Sequence, residues 1–300
     1  MVSISNREWR SGMTPMEKIY NSSYKNLDKA PLNDVIKAKK GLHLYRKLQA
    51  EVKHFERLSQ CKYYDKKAIR SDVQEEYFKN GIVIYKNFVG SQVDSRRVGE
   101  EFEAYPLGVS KNDDNIIAKN RSKGRLLHKL SELIFPVIWD LIGGNEKEVE
   151  KKYRDNTFAQ RVNNKPFEKD HQKLIHLDTY FSAIKYWWFP AKVTIDDGPL
   201  CYVKNSCYAN EALQMWYYKQ SVDVCEKNYE EWRGKDHSEG SFRVSEEELA
   251  DMGYMLEPVE VDEDTLVIAN VAGFHCRGDA SVENVRNAIH GSIRLDLPLE

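Results

Sequence analysis

The chain has 300 residues, with 45 Lys and Arg against 47 Asp and Glu and a formal net charge of −2. A near-neutral chain is a poor match for bulk electrostatic binding to nucleic acid or to an anionic membrane. A hydrophobic fraction of 41% with 11% aromatics is enough for a packed core and excludes a disordered chain.

The first residues, Met1 to Arg10, contain no apolar run of the kind a signal peptide needs. No segment reaches the roughly 20 apolar residues that span a bilayer. The longest apolar stretch, Leu133 to Ile142, is interrupted by Pro136 and Asp140. The cysteines Cys61, Cys201, Cys207, Cys225 and Cys276 are odd in number and form no CxxC pair. That argues against a disulfide framework and a thiolate zinc site, and the expected setting is the cytoplasm with thiols reduced.

In chain order, residues 14 to 60 read as helical, with Tyr45, Leu48, Val52 and Phe55 forming an apolar stripe. Basic residues outnumber acidic ones between Asp34 and Arg70, which reads as a solvated helix face. Ser71 to Gly81 reads as a capped helix, with Ser71 or Asp72 at its start, Glu75 and Glu76 in its first turn and Gly81 at its end. Ile82 to Tyr85 continues as a β-branched strand, and Leu126 to Ile142 is a second long helix. After residue 155 short strand-like runs follow: Thr157 to Val162, Ala183 to Phe189, Leu200 to Val203, Leu256 to Val261, Thr265 to Asn270 and Ala288 to Leu295. Asp196-Asp-Gly-Pro199 is a turn, and Ser245 with Glu248 has the spacing of a capping box. No repeat or flexible linker divides the chain. The expectation is one domain over 1–300, with a helical extension over 1–70, a β core over 155–300 and a helical insertion over 210–253. Many short strands between turns suggest a sandwich or barrel.

The informative motif is Ile175-His176-Leu177-Asp178. In extended chain, residues two apart face the same side, so His176 and Asp178 can aim an imidazole nitrogen and a carboxylate oxygen at one point. His275, at the end of a strand-like run, can complete the set. Two histidines and a carboxylate make the facial triad of non-haem Fe(II) oxygenases, which leaves three metal positions open.

Together these residues resemble the phytanoyl-CoA dioxygenase-like family of Fe(II)- and 2-oxoglutarate-dependent oxygenases, from about Ser71 to Arg294. SDVQEEYFKNGIVIYKNF resembles that family's opening helix, glycine, strand and "nfl" phrase. Trp187-Trp-Phe-Pro190 followed by Asp197-Gly-Pro-Leu200 resembles its "W-x-P…NGPL" stretch. Asp264-Thr-Leu-Val-Ile-Ala resembles its "GDxxxF" strand, whereas Val203-Lys-Asn-Ser206 departs from its "VPGSH". The resemblance implies a mainly β fold with helical additions around a double-stranded β-helix, the cupin-like jelly roll. It implies iron held by His176, Asp178 and His275, with 2-oxoglutarate and dioxygen as cosubstrates. The family's cosubstrate arginine falls at Arg286, and a guanidinium fork suits the far carboxylate of a keto diacid. Gln160, Asn163 and Thr179 occupy places where relatives present polar side chains to cosubstrate or substrate. An aspartate at 178 favours hydroxylation, desaturation or oxidative ring closure over halogenation.

Arg277 follows His275 by two, so in extended chain it aims at the same pocket and calls for an anion on cosubstrate or substrate. The other reading is a turn residue pointing outward. His290 shares parity with Arg286 and can face inward; with it, Tyr180 and Trp188 are the expected substrate contacts, although Tyr180, Trp187 and Trp188 read equally well as core. The expected partner is a small, anionic substrate such as an amino-acid-derived carboxylate, with no nucleic acid and no membrane. Oligomeric state stays open. Two alternatives remain at this stage: a barrel holding zinc for hydrolysis or isomerisation, and a non-catalytic binding barrel.

Overall fold

A computed structural model describes mainly residues 72–93, 117–120, 125–142, 157–166, 170–178, 183–207 and 242–294, with isolated positions between them. The expected helix over 14–60, Thr179, Tyr180 and most of the 210–253 insertion lie outside the described residues.

Helix α1, Asp72–Asn80, ends where Gly81 adopts φ +77° and its amide closes on the Tyr77 carbonyl at 2.7 Å. A Cβ at Gly81 would stand 2.5 Å from the Tyr202 hydroxyl, so both the turn and the packing demand glycine there. Strand β1, Ile82–Tyr85, follows directly. After the short strands β2, Gly108–Val109, and β3, Ile117–Asn120, helix α2 runs over Arg125–Ile142. It passes through Pro136, so the proline interrupts the apolar run without ending the helix.

The remaining strands are β4, Phe158–Asn164; β5, Ala183–Phe189; β6, Leu200–Tyr202; β7, Glu257–Val259; β8, Thr265–Asn270; β9, His275–Arg277; and β10, Asn284–Arg294. A short helix α3, Glu246–Asp251, precedes β7, and its Ser245–Glu248 capping box is formed in both directions. β5 and β8 match the expected runs end to end. β10 begins four residues earlier than the expected run, which puts Arg286 on the strand. His275 opens a strand after the Val271–Phe274 turn instead of ending one.

Seven strands form one antiparallel sheet in the order β1-β8-β5-β10-β4-β3-β2, and three form a second in the order β7-β6-β9. Isolated bridges, His176 with Arg243 and His275, and Val193 with Val261, widen the smaller sheet. The chain is mainly β with helical additions, two antiparallel sheets closing as a jelly roll.

Period-two alternation decides what each face does. Ile184, Tyr186 and Trp188 of β5, with Leu266 and Ile268 of β8, pack against Leu130, Ile134 and Ile138 of α2. The alternate residues, Phe189, Val267 and Ala269, join Leu200, Tyr202 and Val261 between the sheets. Both faces of β8 are therefore covered, and all six of its residues are buried. A third cluster, Phe242, Leu249, Phe274, Cys201 and Cys276, covers the outside of the smaller sheet. Among the described residues, Cys201, Cys207 and Cys276 are free thiols, and no helix is long and apolar enough to cross a membrane.

Asp264 ties these layers together. Its carboxylate accepts from the Val89 amide at 3.0 Å, the Gly90 amide at 2.8 Å and Trp188 Nε1 at 2.9 Å. Its own φ is +53°, a region that Asp tolerates better than Ala. Asp264→Ala is expected to cost about 2–4 kcal/mol in urea unfolding, because three donors lose a charged acceptor and the backbone becomes strained. A loss below about 1 kcal/mol would show that the three bonds are not a structural anchor.

Candidate metal centre

The HxD segment is extended but lies outside the named strands. It follows a 3₁₀ turn, His171–Lys173, capped by Asp170, whose Oδ1 accepts from the Gln172 amide at 2.8 Å. His176 and His275 face each other as an antiparallel pair. The His176 amide donates to the His275 carbonyl at 2.9 Å, and the His275 amide donates back at 2.8 Å. Side chains directly opposite in an antiparallel pair project to the same face, and the two imidazole centroids are 4.7 Å apart. The Asp178 amide donates to the Val271 carbonyl at 3.1 Å, pinning the carboxylate beside them.

Each ring is held in the same way, by a carbonyl two residues upstream. His176 Nδ1 lies 2.6 Å from the Leu174 carbonyl and His275 Nδ1 lies 2.9 Å from the Gly273 carbonyl. A carbonyl can only accept, so each Nδ1 carries a proton, and in the neutral ring the remaining nitrogen, Nε2, presents a lone pair. Both Nε2 atoms face Asp178, with His176 Nε2 3.7 Å from Oδ1 and His275 Nε2 3.4 Å from Oδ2. The ligand atoms all lie within 4.8 Å of one another. Gly273 is also sterically required, because a Cβ there would sit 2.4 Å from the Tyr202 hydroxyl.

Burial is the largest influence on His176. With His275 and Arg243 it outweighs the pull of Asp178 and lowers the imidazole to about 3. Burial alone would raise Asp178, but His275, Lys185 and His176 outweigh it and hold the carboxyl far below its usual range. The site thus offers a neutral imidazole and an ionised carboxylate at neutral pH, the forms a metal requires. Asp178 Oδ2 is a buried atom without a hydrogen bond of normal geometry among the described residues, and its charge partner is the Lys185 ammonium. A divalent cation supplies what this cluster of lone pairs lacks, so the residues fit a metal.

The cluster forms one wall of a cavity of about 240 Å³. Arg286 and Gln160 line it, as do His290 and Arg277. Arg286 Nη1 donates to the Gly198 carbonyl, and burial, with Arg277 nearby, lowers its guanidinium to about 9. His290 Nδ1 bonds the Tyr186 carbonyl at 2.8 Å, and its ring stacks on Trp187 at 4.9 Å with an interplanar angle of 4°.

Three expectations need correction. Asn163 has opposite parity to Gln160 on β4, so it shares the face of Ala159, which packs toward the helices, and does not line the cavity. Trp188 likewise faces the helix layer and bonds Asp264; its neighbour Trp187 is the tryptophan in the cavity. Arg277 does turn inward as its spacing predicts, but it meets Asp170, a buried carboxylate of the chain itself. The argument that it requires an external anion therefore lapses. Thr179 and Tyr180 have no described placement.

Sequence reading missed Asp170, Gln172 and Lys185. Lys185 projects from β5 into the cavity, and its ammonium contacts Asp178 Oδ2. A lone lysine between Ile184 and Tyr186, on the same face as Trp187 and Phe189, was the available signal.

No protein-family model and no curated protein matches the chain. Solved structures similar to it include HygX from Streptomyces hygroscopicus with nickel, 2-oxoglutarate and hygromycin B bound, at 13% identity and a TM-score of 0.47, covering 75% of this chain and 86% of that one. SnoK, a non-haem α-ketoglutarate-dependent carbocyclase from nogalamycin biosynthesis, matches at 16% identity and 0.45, covering 75% and 83%. The apo form of EctD from S. alaskensis matches at 10% identity and 0.47, covering 75% and 76%. Neither the topology nor the site described above rests on these likenesses.

The His176 shift has a sign that can be checked. Unfolded, His176 takes up a proton near pH 6.5, whereas folded it stays neutral down to about 3. Stability is therefore complete above about 6.5 and is lost as the pH falls, by up to about 1.4 kcal/mol per unit from this group. Melting the metal-free protein from pH 7 to 4 is expected to show a steeper decline than in His176→Asn. Equal slopes would contradict the assignment.

Proposed function

We propose that the chain is an Fe(II)- and 2-oxoglutarate-dependent dioxygenase that oxidises an unactivated C–H bond of a small, carboxylate-bearing metabolite. The observation that carries this reading is the convergence of three ligand atoms: two imidazole nitrogens whose ring N–H groups are committed to backbone carbonyls, and a half-buried, ionised carboxylate. Two nitrogens and one carboxylate beside an open cavity are the donor set of a non-haem iron centre rather than a closed structural zinc site.

His176, His275 and Asp178 would hold the metal. Bound iron supplies dioxygen activation coupled to decarboxylation of 2-oxoglutarate, with one oxygen atom ending in succinate and the other in the product or in water. Arg286 binds the far carboxylate of the keto diacid; its desolvated cation gains an anion in exchange for a single carbonyl. Gln160 lines the same wall and offers its amide to the cavity. Trp187 and His290, stacked face to face, form a rigid surface that excludes water from the reacting end. The motif resemblance to the phytanoyl-CoA dioxygenase-like family supports the same reaction class. The product type, whether alcohol, alkene or ring, is set by which C–H bond these walls present.

Purified protein given Fe(II), 2-oxoglutarate and air is expected to release succinate, faster with a panel of small carboxylates. Asp178→Ala should lose activity by at least about a hundredfold together with metal binding. Arg286→Ala should keep the metal and raise the KM for 2-oxoglutarate by about tenfold or more, the worth of a charge-assisted pair. A protein that binds zinc but neither consumes 2-oxoglutarate nor forms a visible charge-transfer band with it and Fe(II) anaerobically would overturn the proposal.

A further inference from the structure

Lys185 has no part in the ligand set, yet its ammonium touches the ligand carboxylate from inside the cavity. Its side chain is 25% exposed and that of Asp178 23%, so both stand where the cavity meets solvent. Along β5, Lys185, Trp187 and Phe189 share the inner face, with Phe189 in the apolar cluster between the sheets and Lys185 at the strand's opposite end.

The charges lining the cavity can be balanced group by group. Arg277 is neutralised by Asp170. In the reading proposed above, a divalent metal and a doubly charged keto acid cancel each other. Asp178 becomes a metal ligand, and its single negative charge offsets Arg286. One lysine cation is left over. It can no longer depend on Asp178, because a divalent ion draws on the same carboxylate and repels the ammonium. A partly desolvated cation beside a reaction centre is costly unless an anion meets it.

We infer that Lys185 is the anchor for the primary substrate, and that the substrate is a monoanion whose carboxylate replaces Asp178 as the partner of the ammonium. This rests on the oxygenase reading and narrows it. The anion lies near the metal, so the oxidised carbon is within a few bonds of the substrate's charged end. The stacked Trp187 and His290 bound the space for its uncharged remainder. Specificity then has two separate cations, Arg286 for the keto acid and Lys185 for the substrate, and the chain's own Asp170 removes Arg277 from the competition.

The test uses full-length protein loaded with Ni(II) and 2-oxoglutarate, which blocks turnover. The probes are matched pairs of hexanoate with hexanamide and 3-phenylpropionate with its amide, followed by ligand-detected NMR titration. Wild type is expected to favour the carboxylates. Lys185→Met should weaken them by about tenfold or more and leave the amides within about twofold, the difference between a charge-assisted and a neutral partner. Lys185→Gln provides the same comparison if the Met variant does not fold, and Lys185→Arg should retain the preference. The Ni(II) affinity of the metal-free Met or Gln variant should equal or exceed that of wild type, because a competing cation has left Asp178.

Equal binding of acid and amide by wild type, including no binding of either, overturns the inference. So does an undiminished carboxylate preference in the Met and Gln variants. Loss of Ni(II) binding in those variants also overturns it, since Lys185 would then be positioning Asp178. If wild type takes up neither Ni(II) nor 2-oxoglutarate, the oxygenase reading falls and this inference falls with it.

Discussion

The whole site depends on one backbone pairing, the reciprocal hydrogen bonds between His176 and His275. Two residues far apart in the chain become direct neighbours because β9 and the HxD segment exchange amide and carbonyl. The pairing fixes the side on which both imidazoles emerge, and a one-residue slip would turn them away from each other. The carbonyls of Leu174 and Gly273 then fix the tautomers, so that the same backbone that places the rings also aims their lone pairs. Ligand geometry is thereby largely built before any metal arrives.

That economy explains which parts of the site the sequence discloses. A motif with side chains two residues apart needs only extended backbone to converge, so His176 and Asp178 were readable. Arg286 was legible only through the family resemblance, since nothing local to the sequence around it singles out one arginine among many. Strands such as Ala183–Phe189 and Thr265–Asn270 were readable from β-branched and aromatic runs bounded by turns, and the Ser245 cap from its local spacing. What stayed hidden required knowing which face of a strand points inward. Trp187 and Trp188 are adjacent and chemically identical, and only the register of β5 between β8 and β10 decides which one reaches the cavity. Asn163 failed for the same reason. Asp170 was hidden differently: its partner Arg277 is distant in the chain, and no local pattern reports a long-range ion pair.

Charge placement is the second organising constraint. The cavity carries more cationic than anionic side chains, although the chain as a whole is close to neutral. An enclosed excess of one sign is stable only when the fold compensates it internally, as Asp170 does for Arg277, or when bound molecules do. Arg286 and Lys185 lie on opposite sides of this division from Arg277, and they define what the cavity is built to receive.

The central claim is that His176, Asp178 and His275 share one metal ion. The most direct measurement is anomalous diffraction from crystals grown anaerobically with Fe(II), or with Ni(II) as its stable substitute. The account predicts a single strong peak within about 2.3 Å of His176 Nε2, His275 Nε2 and one Asp178 oxygen, the ordinary bonding range for such donors. A metal bound elsewhere, or a peak that touches only one of the three, would contradict it.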